Sequence, residues 1–331
     1  MQAPAFWWKP KPVLVARLLQ PASLLYAGAA RLRTILTRQR SAPIPIICIG
    51  NPTVGGAGKT PTAIAVAGML AGAGRRPVFL TRGYGGTIKG PALVEIGRHG
   101  SREVGDEPLI LARHAPVIVS ADRVAGAKLA ASHGDVVVMD DGFQNPALGK
   151  HFSILVIDGQ VGVGNGLCLP AGPLRMGLGG QLKSADAVLI IGRDARNMAS
   201  FIPDGVMHLS GRIASVPPAA IAGRPLIAFT GIGRPSKFFS TLEEAGLEIA
   251  VRVPFPDHHV FTEREADALL DHAAREKALL VSTEKDCARL SAKGDTALAT
   301  LAARTIPYPI TMEFDQASAT ALARSLYEAI G

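Results

Sequence analysis

The sequence predicts an α/β protein, with a mostly parallel sheet flanked by helices, a second smaller α/β domain, and an amphipathic N-terminal segment. Three observations predict this. Continuous apolar runs, such as IPIICIG at 44–50 and GDVVVMDD at 134–141, alternate with helical patterns. Unbroken apolar runs mark strands covered on both faces, and strand–helix repetition implies parallel strands joined by right-handed crossovers. The alternation pauses over 206–223 and restarts at 224, while the first 40 residues follow neither pattern. The expected organisation is an N-terminal segment over 1–40, a core over 41–205, a linker over 206–223 and a C-terminal α/β domain over 224–331.

The N-terminal segment is basic. Twelve of the 35 Lys and Arg precede Glu95, the first acidic residue, so the net charge of +8 is concentrated at this end. Such a block calls for an acidic partner: a phosphate, a nucleic acid or an anionic bilayer. The charge-free run Leu18 to Ala30 is interrupted by Pro21 and is shorter than the roughly 20 residues a spanning helix needs. A helix lying in a membrane interface is expected, with the Trp7 and Trp8 rings at headgroup level and the basic side chains on lipid phosphates. A helix packed on the protein's own core is the competing reading. No aromatic–basic repeat or known module points to nucleic acid. Cys48, Cys168 and Cys287 lie far apart with no CxxC spacing, which excludes a disulfide scaffold or a zinc knuckle and fits a reducing cytoplasm.

The core opens with strand 44–50, followed by GNPTVGGAGKT at 50–60 and a helix from Lys59 to Ala73. Strand, glycine-rich loop and helix are what a phosphate loop requires, because backbone N–H groups and a helix N-terminus together face the anion. The loop residues Thr53, Val54, Gly55, Gly56, Ala57 and Gly58 would cradle the nucleotide, Lys59 would reach the β- and γ-phosphates, and the Thr60 hydroxyl would bind Mg²⁺. Thr53 stands where the usual pattern has Gly; the doubled Gly55-Gly56 partly compensates.

VVVMDDGFQ at 136–144 ends an apolar strand in Asp140 and Asp141. Adjacent carboxylates repel, and a nucleotide-bound Mg²⁺ gives them a reason to sit together; a solvated turn would also accept them. TRGYGG at 81–86 offers Arg82 as a phosphate clamp or a plain surface loop. GDEP at 105–108 places Asp106 and Glu107 before a helix, where simple N-terminal capping is the alternative. SADR at 120–123 offers Asp122 and Arg123, and PAGPLR at 170–175 presents Arg175 from a rigid loop. PDHH at 256–259 offers His258 as a general base if a carboxylate pairs with it. STEKD at 282–286 presents Lys285. Nearly all these motifs fall at the C-terminal ends of strands, the edge where open α/β sheets bind ligands.

In this order the motifs resemble the tetraacyldisaccharide 4′-kinase (lipid A 4′-kinase) family, over about residues 50 to 286, and the basic Trp-bearing segment resembles that family's membrane-associated helix. The resemblance implies a P-loop kinase core on the cytoplasmic face of the bacterial inner membrane. It implies ATP and Mg²⁺ as cofactors and the lipid A disaccharide 1-phosphate as acceptor, with no obligate protein partner. It maps nucleotide binding to Lys59 and Thr60, metal binding to Thr60, Asp140 and Asp141, a catalytic pair to Asp106 and His258, and phosphate or headgroup contacts to Arg82, Arg123 and Arg175. The family loop often carries Glu after PAGPLR; here Met176 stands there. Which of Asp106 and His258 takes the acceptor proton stays open, as do two rivals: a membrane-associated partitioning-type P-loop ATPase switch and a soluble small-molecule kinase or ligase of the same fold.

Overall fold

The computed structural model describes residues 3–290 and 296–331. Eight strands build the first sheet in chain order: β1 (Ile46–Gly50), β2 (Pro77–Thr81), β3 (Ala92–Leu93), β4 (Val117–Val119), β5 (Val136–Asp140), β6 (Phe152–Asp158), β7 (Ala187–Ile191) and β8 (Met207–Ala214). A second sheet follows, of β9 (Leu226–Thr230), β10 (Ile249–Pro254), β11 (Leu279–Thr283) and β12 (Thr305–Tyr308). The chain then returns to the first sheet with β13 (Thr311–Phe314).

The nine-stranded order is β13-β8-β7-β6-β1-β5-β2-β4-β3, parallel except for the β13–β8 and β3–β4 pairs at its edges. β1 lies at the centre, with β5 and β6 on either side. The chain runs from β1 outward past β5 to β2, and later crosses to β6 on the far side, so β1 is the switch point where a crevice opens. The central strands are buried along their whole length, which is why they read as unbroken apolar runs. The second sheet is all parallel, in the order β10-β9-β11-β12, with its own core around Phe229, Phe261 and Leu269 on one face.

The linker reading over 206–223 is corrected. Met207–Ala214 is a full strand of the first sheet, parallel to β7 and antiparallel to β13. Its side chains are mostly half-buried, so no apolar run announced it. The last strand and helix, placed in the second domain from sequence, also belong to the first: Met312, Leu322 and Leu326 join its core. The second unit is therefore an excursion between β8 and β13.

At the N-terminus, helices Leu14–Leu18 and Gln20–Leu36 lie against the core through small residues. Ala16 is buried, and the buried Ser23 hydroxyl donates to Cys168 O at 2.8 Å. The tryptophans are half-buried and touch the chain itself: Trp7 Nε1 donates to Pro170 O at 3.0 Å, and Trp8 lies beside Gly55. The apolar surface left to solvent is aliphatic instead, formed by Leu14, Leu18, Leu24, Leu25, Ile35 and Leu36. Among the described residues no helix is long and apolar enough to cross a membrane.

Candidate active site

The phosphate loop leaves β1 and enters the helix Lys59–Gly72. Gly55 and Gly58 take positive φ (109° and 90°), the left-handed backbone that favours glycine, and a Cβ on Gly58 would also press on the tip of Ile191. Thr53, the departure from the usual pattern, forms an antiparallel bridge with Leu174, and Val54 N donates to Pro173 O at 2.9 Å. The first half of the loop is thus held as an extended strand against PAGPLR, where glycine has no steric advantage. Asn51, Gln144 and Gln181 tie the loops from behind: Gln144 Nε2 donates to Asn51 O and Gln181 Oε1, and Gln181 Nε2 to Met176 O.

Lys59 is buried at the start of its helix, with Nζ 3.8 Å from Asp141 Oδ1. Thr60 Oγ1 donates to Asp140 Oδ2 at 3.1 Å. The other Asp140 oxygen, Oδ1, is buried with no partner among the described residues. Burial, and next the negative charge of Glu107, push the Asp140 carboxyl up to about 7. An enclosed, unengaged carboxylate oxygen beside a hydroxyl is a fitting place for a hard cation. Among the described residues no group of three or more His, Cys, Asp or Glu forms a metal cage. That suits Mg²⁺ held by one or two carboxylates with water and substrate phosphate completing the shell.

Asp141 differs from its neighbour. It takes φ 55°, rare outside glycine, and its two oxygens accept from Arg175 Nη1 at 2.7 Å and Nη2 at 3.2 Å. Arg123 is buried; burial, and then the nearby Arg82, lower its pKa, and its Nε has no partner among the described residues. Arg82 is exposed. Two guanidiniums close enough to disfavour each other, one with an unused donor, form a receptive place for an anion. Asp122 caps the helix Arg123–Ala130 by accepting from Val124 N and Ala125 N, which accounts for it structurally.

Asp106 opens the helix Asp106–Leu111, which packs against the phosphate-loop helix. Its N-cap Gly105 (φ 91°) would place a Cβ 2.4 Å from Tyr84 O, so glycine lets the TRGYGG and GDEP loops touch. His258, at φ 57° in a loop of the second unit, brings Nδ1 to 3.4 Å from Asp106 Oδ2. Burial pushes the Asp106 carboxyl upward, but hydrogen bonding with His258 and the Arg289 guanidinium outweigh it, leaving its pKa below the ordinary value. Lys285 Nζ pairs with Glu107 Oε1 at 2.7 Å and holds Glu107 down to about 2. His259 is a packing residue: it stacks on Phe255 and contacts Glu265 at 3.0 Å.

The structure thus gathers Lys59, Thr60, Asp140, Asp141 and Arg175 around the loop, and joins Asp106 to His258 across the two units. Three elements went unread in the sequence. Arg289 touches both Asp106 and His258. Lys285 and Glu107 were both visible, but their pairing was not. Arg234 and Lys237 converge on Asp158 at the end of β6, at 2.6 and 3.4 Å. The available signal was positional: Lys285 and Arg289 lie four residues apart on one helix face, directly after a strand.

A family model for LpxK, tetraacyldisaccharide-1-P 4′-kinase, matches residues 15–327. A tetraacyldisaccharide 4′-kinase of Methylobacterium sp. (strain 4-46) is 51% identical over 298 residues, covering 88% of this chain and 90% of the relative. That of Methylobacterium nodulans is 48% identical over 337 residues, covering 100% and 97%. The crystal structure of "apo" form LpxK from Aquifex aeolicus in complex with ATP superposes with a TM-score of 0.76 at 26% identity, covering 96% of this chain and 100% of that one. With the phosphate loop, the paired aspartates and the cross-unit contact already in place, the chain belongs to the tetraacyldisaccharide 4′-kinase family.

Proposed function

We propose that this chain transfers the γ-phosphate of ATP to the 4′-hydroxyl of the tetraacylated lipid A disaccharide 1-phosphate, using the residues above. The observation that carries the reading is the Asp106–His258 contact, made across two units beside a phosphate loop. A base brought beside the phosphate loop by a second unit suits an acceptor hydroxyl held between the units.

Lys59 would neutralise the β,γ-oxygens. Thr60 and Asp140 would hold Mg²⁺, which when bound offsets phosphate charge. Asp141, engaged by Arg175 and near Lys59, would order these two cations around the phosphates. Arg82 and Arg123 would receive a phosphate oxygen. His258, oriented by Asp106, would accept the proton of the sugar hydroxyl; the closed second unit would keep water away from the transferring group. The acceptor carries acyl chains, so the enzyme must meet it at a bilayer. The unpartnered aliphatic face of 14–36 together with Arg17, Arg31 and Arg33 fits an anionic inner-membrane surface on its cytoplasmic side.

Labelled γ-phosphate from ATP·Mg²⁺ should appear in the disaccharide lipid in detergent micelles with the wild-type chain, and Lys59→Ala should abolish it. ATP hydrolysis without labelled lipid would favour the partitioning-type ATPase switch instead.

A further inference from the structure

Arg289 reaches into the site from the second unit and is almost enclosed, its side chain 6% exposed. Its Nη1 donates to Asp286 Oδ1 and to Gly231 O, each at 2.8 Å. Asp286 is fully buried and already accepts from Thr230 Oγ1, Thr283 Oγ1 and Gly231 N. The arginine is therefore clamped from behind by an anion whose other positions are filled. Its forward edge meets Asp106 of the first unit, Nε donating to Oδ2 at 2.6 Å, while Nη2 lies 3.4 Å from Nδ1 of His258 in its own unit. The same Asp106 oxygen faces His258 Nδ1 at 3.4 Å.

We propose that Arg289 is the positioning residue of the Asp106–His258 pair, fixing the carboxylate oxygen that orients the imidazole and keeping that carboxylate ionised. This rests on the reading that the pair serves the acceptor hydroxyl. A guanidinium is a rigid planar fork, and one anchored on Asp286 leaves Asp106 Oδ2 a single place to sit. In the tautomer that carries its proton on Nδ1, His258 donates to that oxygen and leaves the Nε2 lone pair for the hydroxyl proton; Arg289 Nη2, itself a donor, then makes no hydrogen bond to Nδ1 and acts through Asp106. Without the arginine, His258 stands half-exposed in a loop at positive φ, and Asp106 loses its closest cation. The other charged groups around the pair are committed elsewhere or farther off. Glu107 is bound by Lys285, Asp257 Oδ1 is 4.0 Å from His258 Nε2, and the Tyr84 ring lies 5.8 Å from the imidazole, centre to centre.

The test is the pH profile of lipid phosphorylation for the wild type, R289M, R289K, D106N, H258A and the double variant D106N/R289M. Removing the cation that faces Asp106 is expected to move the acidic limb of kcat/KM to higher pH. R289M is expected to show that shift, with kcat lowered roughly ten- to hundredfold and the KM for ATP nearly unchanged. R289K keeps the charge and loses the fork, so its limb stays at the wild-type position while kcat falls. In the D106N background R289M is expected to add little, because it acts through Asp106. A wild-type limb and kcat in R289M, or full additivity with D106N, would overturn the proposal. Where R289M melts too low to assay, wild-type kcat in R289K overturns it. Wild-type kcat in both D106N and H258A would remove the pair from the reaction, and the role of Arg289 with it; collapse of those two beside an unaffected R289M would sink the arginine alone.

Discussion

Asp140 is enclosed with one oxygen unengaged and its carboxyl raised from 3.8 to about 7. Between those values the folded chain keeps a proton that the unfolded chain has lost, so the stability of the ligand-free protein falls as pH rises through this window. Asp140→Asn, which can still accept from Thr60, is expected to raise the melting temperature at pH 7.5 by a few degrees while abolishing transfer; thermal denaturation without nucleotide or Mg²⁺ checks it. An unchanged or lower melting point would mean that the enclosed carboxylate carries no stored cost. The position of Asp140 was legible because an acidic residue ending an apolar strand beside a phosphate loop has few other uses. What separates it from Asp141 was not. The left-handed backbone of Asp141 turns its carboxylate into the Arg175 fork, and neither the φ nor that distant partner leaves a trace in a DD pair. Arg289 was missed for the same reason: its partners lie 183 and 31 positions away.

Helix Gln20–Leu36 shows what a single element does and does not reveal. Its helical character and basic residues were plain in the sequence, but Pro21, read there as an interruption, proves to sit in its first turn. Which face packs inward was not, because its one buried residue is Ser23, joined by Ala16 of the short helix before it, rather than a large apolar stripe. Packing through small residues leaves the leucines outward, and immersing three such side chains would contribute on the order of 5 kcal/mol. Replacing Leu24, Leu25 and Ile35 by Ser is therefore expected to abolish sedimentation with vesicles of phosphatidylglycerol, without lowering the melting temperature. Retained binding would place the membrane contact elsewhere. Strands were easier to read than this helix. β1, β5 and β6 are covered on both faces and announce themselves as apolar runs, whereas β8 and β13, half-covered at the sheet edge, carry a broken pattern that passed for a connection and for part of another domain.

Across the whole molecule, the two units meet at two ion clusters, one at the end of β6 and one at the start of helix Asp106–Leu111. Asp158, at the end of β6, takes Arg234 and Lys237, while Asp106 and Glu107 take Arg289 and Lys285. All four cations come from the second unit and all three anions from the first, so the contact has a single polarity. This explains why the sequence showed motifs scattered over more than two hundred positions yet belonging to one place: the chain supplies the phosphate loop first and the imidazole after a long detour.

That detour has a particular geometry. Ala214 and Thr311 are direct partners in the β8–β13 ladder, so the second unit departs and returns through the mouth of one antiparallel hairpin. In engineering terms it is a cassette with adjoining ends. Excising residues 216–309 and bridging the gap with a short Asn-Gly turn is expected to leave a folded core that binds ATP, measurable by calorimetry, but transfers nothing, since His258, Lys285 and Arg289 depart together. A truncated chain that fails to fold would show that the cassette supports its host as well as completing it. Because the cut ends already face each other, the same joint would accept a foreign domain, and nucleotide capture and acceptor choice become separately exchangeable parts.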